Sequence, residues 1–482
     1  MDEAEKQNKS ESRQSAEAPR NPAPPPPSEK LTNETRPRST AEVLISPSTD
    51  QPDSVKNEIA NSETPAGAPP SDKSIVDHCS LKIEPAEAAA DPFFSGRKHY
   101  PALDGLRALA IIGVICLHFG GSIKQYQLAA AGPLALYLFK AFRHGAWGVD
   151  LFFVLSGYLI TGILLQSRGQ QNYFRNFYAR RTLRIFPLYY GVLLTLLVIL
   201  PSVLGHIPAT LSVAYHRQAW LWTYTTNIET ARKGMVFGNF IHFWTLAIEE
   251  QFYLVWPLLL FLTPQRRLSR LIVCLIIFIN AARVIFWAAD HSQVAWYWLW
   301  SFTPFRADTL LAGAGLAVLQ TEGRLAAYRR AFAVAFCCTL PIILLFYFGA
   351  SHKWQWMPAP LIPHLAFAPI LFGSALGLIL TSHPASWLLK ALSFRPLRSI
   401  GKYSYAMYVF HLIYLPLEVR WLPYSLFSKA LYNALLGLLA YYSSAVAIAF
   451  GLAFCSYHLY EKHFLKLKKY FPERAAAGVP PQ

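Results

Sequence analysis

The sequence predicts an all-α, multi-pass transmembrane protein with about ten membrane-spanning helices and both termini in the cytoplasm. Three observations predict it. Of 482 residues, 53% are hydrophobic and only 15% are charged, where soluble proteins average about 25% charged. The apolar residues after position 100 fall into repeated runs of roughly 17–25, the length a helix needs to cross a bilayer. Basic residues gather in every second loop between those runs, the asymmetry that sets helix orientation in membranes.

Residues 1–97 come first. They are rich in Pro, Ser, Glu and Asn and contain the run Pro22-Ala23-Pro24-Pro25-Pro26-Pro27. Such a segment buries too little apolar surface to offset the entropy of ordering. A disordered cytoplasmic tail acting as a tether is expected, ahead of a docking role for the proline run. No cleavable signal peptide precedes the first apolar run, which is therefore expected to serve as an uncleaved anchor.

The transmembrane domain is expected over residues 98–462. Its spans centre near Ile112, Leu155, Leu194, Trp256, Leu275, Gly313, Ala335, Leu371, Val409 and Ala445. Arg97 and Lys98 precede the first span, and Arg175, Arg180, Arg181 and Arg184 lie between the second and third. Arg266, Arg267 and Arg270 separate the fourth and fifth, Arg324, Arg329 and Arg330 follow the sixth, and Lys390, Arg395, Arg398 and Lys402 precede the ninth. All fall on one side, which the positive-inside rule makes the cytoplasm. The opposite loops are aromatic and polar, as interfacial belts are; Lys124, Arg143, Arg232 and Lys233 are exceptions too few to reverse the orientation. A basic cytoplasmic tail, residues 463–482, closes the chain, and its alternation of Lys with Phe and Leu suits the anionic inner leaflet. The cell (inner) membrane is the expected location.

The formal net charge of +16 does not point to nucleic acid, because the basic residues sit as topology signals and no nucleic-acid-reading motif is present. Six cysteines (Cys79, Cys116, Cys274, Cys337, Cys338 and Cys455) lack metal-ligand spacing. They read as small apolar residues, so neither a metal site nor disulfides are expected.

Three constellations carry chemistry. In the first span, Leu103-Asp104-Gly105-Leu106-Arg107 is followed by ten residues and then His118. Eleven helical residues are about three turns, so Arg107 and His118 share a face within roughly 20° and stand roughly 16 Å apart along the axis. Ionisable groups inside a bilayer usually line a cavity or a reaction path, and a neutral imidazole is the usual general base. At the entry to span three, Arg180-Arg181-Thr182-Leu183-Arg184-Ile185-Phe186-Pro187 offers three guanidinium forks. These suit the phosphates of a soluble donor such as coenzyme A, although such clusters also arise as plain topology signals. At the start of span four, His242-Phe243-Trp244-Thr245-Leu246-Ala247-Ile248-Glu249-Glu250-Gln251-Phe252-Tyr253 places two adjacent carboxylates before an apolar run. Glu249 is a candidate to orient an imidazolium or to pair with Arg306, for which a structural ion pair is favoured.

Two weaker signals remain. Ser156-Gly157 in span two allows close backbone approach to another helix, and Ser156 has no base beside it in sequence that would make it a nucleophile. Ser404, Tyr408 and His411 share a face of span nine, where they read as polar contacts between helices.

Taken together, Leu103 to His118, Gly148-Val149-Asp150-Leu151-Phe152-Phe153-Val154-Leu155-Ser156-Gly157-Tyr158, Arg181 to Pro187, Trp244 to Tyr253, and Ser404-Tyr405 through His411 resemble the acyltransferase-3 family, in that family's order. The resemblance implies about ten transmembrane helices. It also implies transfer of an acyl group, usually acetyl, from acetyl-CoA or another acyl-CoA on the cytoplasmic side to a hydroxyl of a cell-envelope carbohydrate or glycolipid. It assigns His118 a catalytic role and gives Arg107, Arg181 and Arg184 donor binding or catalysis; Arg180 joins them on the charge argument above. Acyl-CoA is then a cosubstrate, and no permanently bound cofactor is implied. The sequence ends soon after the tenth span, without the extracytoplasmic hydrolase-like domain some members carry. Transfer is thus expected to finish in the membrane domain or with an extracytoplasmic partner. The rival reading is a glycan or lipid transporter or flippase with no covalent step; the lack of internal repeats counts against it.

Overall fold

The computed structural model describes residues 100–124, 132–345 and 361–472, so the expected N-terminal tail of residues 1–97 and residues 473–482 lie outside the described residues. Among the described residues every regular element is helical. The long helices are α1 (Pro101–Gly120), α2 (Gly132–Arg143), α3 (Trp147–Gln166), α4 (Tyr173–Leu194), α5 (Phe243–Leu262), α6 (Gln265–Ala289), α7 (Thr303–Thr321), α8 (Arg329–Leu344), α9 (Leu361–Leu380), α10 (Arg395–Trp421) and α11 (Ala434–Ser456). Each of the ten expected span centres falls in one of them, Leu194 at the last residue of α4, which runs on through a wider π-type turn to Leu204.

Local chemistry accounts for where these helices begin. Pro101 opens α1, where its missing N–H loses nothing and its fixed φ suits a first turn. Asn433 caps α11 by accepting from the Leu436 N–H at 2.9 Å. Prolines lie inside α4, α5, α8, α9 and α10, yet each helix continues through its proline, as membrane helices tolerate when neighbours satisfy the freed carbonyl.

Among the described residues, seven helical stretches are long and apolar enough to cross a membrane: residues 101–120, 147–166, 173–204, 238–262, 265–289, 325–344 and 434–470. Helices α7 and α10 fall short because their buried faces are polar. Arg306 and Asp308 in α7, and Ser404, His411 and Glu418 in α10, are all buried inside the bundle. The reverse pattern marks the periphery. Leu254 and Leu262 of α5 and Ile277, Phe278 and Ile285 of α6 are 62–69% exposed, apolar surface that water would not tolerate and lipid would cover.

In the centre of the bundle α3 packs along α7, α1 along both α3 and α10, and α10 against α11. The α3–α7 crossing is set by two glycines. A methyl at Gly157 would overlap the Leu310 carbonyl, and one at Gly313 would overlap the Val154 carbonyl, so the backbones themselves are in contact. The close approach expected of the Ser156-Gly157 step is made here, against α7.

Candidate active site

A cavity of about 720 Å³ lies between α1, α3, α4, α5 and α10. It sits where α1, α4 and α10 begin and α3 ends, which is the end of the bundle that carries the basic loops. Six basic side chains line it: Arg107 from α1, Arg181 and Arg184 from α4, and Arg395, Arg398 and Lys402 from α10. Asp104 and Glu249 are the only acids among its lining residues, and Asp104 already engages Arg107 at 2.9 Å. Such an excess of cations in a walled cleft concentrates polyanions.

Two of the three α4 arginines expected to bind phosphate, Arg181 and Arg184, therefore face the cavity with Arg107. Arg180 is placed differently. Its guanidinium donates to the carbonyls of Lys468 (3.2 Å) and Phe471 (2.8 Å). Asn176 donates to the Pro472 carbonyl at 3.0 Å, and the Arg175 guanidinium stacks on the Phe471 ring. The basic C-terminal segment is thus strapped to the start of α4, and Arg180 serves as its anchor outside the main cavity.

Glu249 also lines the cavity. Tyr253 donates to Glu249 Oε2 at 3.4 Å and forms a second, short hydrogen bond with Ser156 Oγ. Glu249 does not pair with Arg306. The partner of Arg306 is Asp150, at 2.6 Å, and Asp150 also binds His364 Nε2 at 2.9 Å. A second buried pair, Arg283 with Asp308, lies alongside. The structural ion pair favoured for Arg306 is real, with a carboxylate from α3 in place of Glu249.

His118 lies in the last turn of α1, half-buried and outside the cavity lining. The inner end of the cavity is formed by Thr245 and Tyr408, whose hydroxyls are 2.5 Å apart, and Tyr408 also donates to the His242 carbonyl at 3.1 Å. Behind this closure lie three imidazoles. The ring of His411 is 5.3 Å from that of Tyr408, 4.7 Å from that of His242 and 4.9 Å from that of His118. His118 Nδ1 lies 3.0 Å from both the Val114 carbonyl and His411 Nε2. His411 Nδ1 lies 2.6 Å from the Tyr408 carbonyl.

These carbonyls fix the tautomers, since a carbonyl only accepts. His411 carries its proton on Nδ1, which leaves Nε2 as an acceptor. His118 then donates from Nδ1, and its Nε2 keeps the lone pair. That is the arrangement of a general base, or of a nucleophile, ready at Nε2.

The sequence signals for several of these groups were weak. Arg395, Arg398 and Lys402 look like topology charges, although their spacing of three and four puts them on one helical face. His411 reads as a packing residue, and His242 heads the span-four motif with no role of its own there; both acquire meaning only when the helices pack.

The acyltransferase domain of the acyltransferase 3 family matches residues 100–454. The chain belongs to the acyltransferase 3 family. Among its relatives is the peptidoglycan O-acetyltransferase OatA of Listeria monocytogenes, 32% identical over 334 residues that cover 65% of this chain and 49% of that protein. The O-acetyltransferase OatA of Staphylococcus aureus is 30% identical over 65% of this chain and 50% of its own length. The putative peptidoglycan O-acetyltransferase YrhL of Bacillus subtilis is 29% identical, with 65% and 48% covered. This acyltransferase 3 chain therefore spans about half the length of these relatives in the alignments. No solved structure matches it.

Proposed function

We propose that this protein transfers an acetyl group from acetyl-CoA, held in the cationic cavity from the cytoplasmic side, to a hydroxyl of a cell-envelope carbohydrate. Peptidoglycan is the first acceptor to test, because two of the relatives carry that substrate in their names. The observation that supports the reading best is the convergence of six basic side chains on one cavity whose inner end abuts the histidines. Coenzyme A carries several phosphate charges at one end and its thioester at the other. Arg107, Arg181, Arg184, Arg395, Arg398 and Lys402 suit the first, and the Tyr408 end suits the second. The acceptor oxygen bonds to the thioester carbonyl carbon as its proton passes to His118 Nε2. The C–S bond breaks, and the coenzyme A thiolate takes up that proton. In the alternative route His118 Nε2 itself bonds to the thioester carbonyl carbon as the C–S bond breaks, and the acceptor oxygen then displaces the imidazole while its proton passes to the thiolate. For the thioester to reach His118, the contact of Tyr408 with Thr245 has to open.

The test is acetyl-ester content of envelope glycans by mass spectrometry, in a host lacking this gene and re-supplied with wild type or with His118→Ala. Esters restored by wild type alone support transfer. Esters unchanged in every strain, with glycan export altered instead, would favour the transporter reading.

The cavity cations give a second expected result. Arg184→Ala, Arg398→Ala and Lys402→Ala should each raise KM for acetyl-CoA about 10–100-fold, since a charged hydrogen bond contributes about 1.5–3 kcal/mol. The change in kcat should be much smaller, and the KM of wild type should rise with salt. Steady-state kinetics in detergent micelles measure both; an unchanged KM in all three variants would remove the donor from this cavity.

A further inference from the structure

The geometry points to His411 as the positioning residue for His118, doing with a neutral imidazole what a carboxylate does in hydrolase triads. The inference rests on the acyl-transfer reading above and deepens it. General bases of this kind usually have an acceptor behind them that fixes the ring and stabilises the imidazolium once the proton has arrived. The histidine cluster has no carboxylate in that place: the hydrogen bonds of His118, His242 and His411 to the described residues run to carbonyls and to one another. His118 Nδ1–H is shared by the Val114 carbonyl of its own helix and by His411 Nε2, both at 3.0 Å.

The Val114 carbonyl also lies where it receives the ordinary i→i−4 helical bond from the His118 amide. His411 Nε2 is thus the acceptor free of a backbone duty. His411 is itself fully buried and held in one tautomer by the Tyr408 carbonyl at 2.6 Å, so its lone pair is aimed before the reaction begins. Val114 and His411 come from α1 and α10, and a two-point hold prevents the ring from turning its Nδ1 toward the acceptor. During transfer the acceptor O–H proton moves to His118 Nε2, the C–O bond forms, the C–S bond breaks, and the thiolate takes the proton back from Nε2. His411 keeps its own proton throughout; it stabilises the charged intermediate by accepting from Nδ1–H.

The side-chain amides discriminate this role from packing. In His411→Gln the amide oxygen falls near the place of Nε2 and still accepts from His118. In His411→Asn the amide reaches the Tyr408 carbonyl but not His118, and His411→Leu makes neither bond. With purified protein in phospholipid vesicles, acetyl-CoA as donor and solubilised muropeptides as acceptor, His411→Asn and His411→Leu should lower kcat roughly 100-fold, within the range for general-base catalysis. The acetyl-CoA KM should stay within about twofold, as the cavity cations are untouched. His411→Gln should recover to within about tenfold of wild type. Wild-type kcat in the Asn or Leu variant would overturn the assignment, and so would equal loss in the Gln and Asn variants. Wild type and His118→Ala, run alongside, separate the two ideas: no ester from wild type sinks the acyl-transfer reading itself, whereas full activity in His118→Ala removes His118 as the base, and the role of His411 with it.

Discussion

Replacing His118 with alanine should lower acetyl transfer by about 1,000-fold while leaving the protein inserted, as abundant as wild type and able to bind acetyl-CoA. The size follows from general-base catalysis, which supplies about 10²–10⁴-fold. The selectivity follows from position. His118 is half-buried in the last turn of α1, so truncation there opens little core, and alanine favours the helix. The cations that would hold coenzyme A lie about three turns away, as the eleven-residue step from Arg107 dictates. Equilibrium binding of acetyl-CoA should therefore be unchanged while ester formation disappears. A variant that still forms ester at the wild-type rate would show that another group accepts the proton. A variant that loses both binding and transfer would place His118 in the donor site instead.

How much of this was legible in the sequence depends on how local each signal is. Arg107 and His118 belong to one helix, and helical geometry alone puts them on one face; Arg181 and Arg184 follow from a three-residue spacing in the same way. Most of the helices were legible because each is a largely apolar run of bilayer length, α7 and α10 being the ones interrupted by buried polar groups. Three kinds of fact were not. Arg395, Arg398 and Lys402 have the composition of any cytoplasmic loop, and their common target exists only once α10 lies beside α1, α3 and α4. The contact of His411 with His118 joins residues 293 apart in sequence. Arg180 has the same local chemistry as Arg181, and only the 100° step between consecutive helical residues sends one to the C-terminal strap and the other to the cavity. Periodicity assigns faces, but it does not say what each face meets.

The pairing of Arg306 with Asp150 carries the other large effect, and it is one of stability. Both side chains are 1% exposed, and the guanidinium also stacks between the rings of Phe153 (5.7 Å) and Trp300 (5.3 Å). Removing one member of a buried pair leaves an uncompensated charge and costs about 3–5 kcal/mol, whereas replacing both is often close to neutral. Asp150→Asn keeps the shape of the carboxylate and removes its charge, so the loss can be assigned to Arg306 left unpaired among aromatic rings. It should lower the thermal unfolding midpoint sharply and reduce the amount of protein recovered from membranes. Adding Arg306→Met should restore most of that loss. Recovery should be incomplete, because His364 gives up the carboxylate it binds at 2.9 Å, and an unsatisfied buried polar group costs about 1–3 kcal/mol. Additive losses in the double variant would mean that the two residues stabilise the bundle independently. A single Asn variant as stable as wild type would mean that His364 or Trp300 already compensates the guanidinium. The expected non-additivity identifies the α3–α7 contact as a charged clasp, separate from the cavity, that keeps two glycine-packed helices in register.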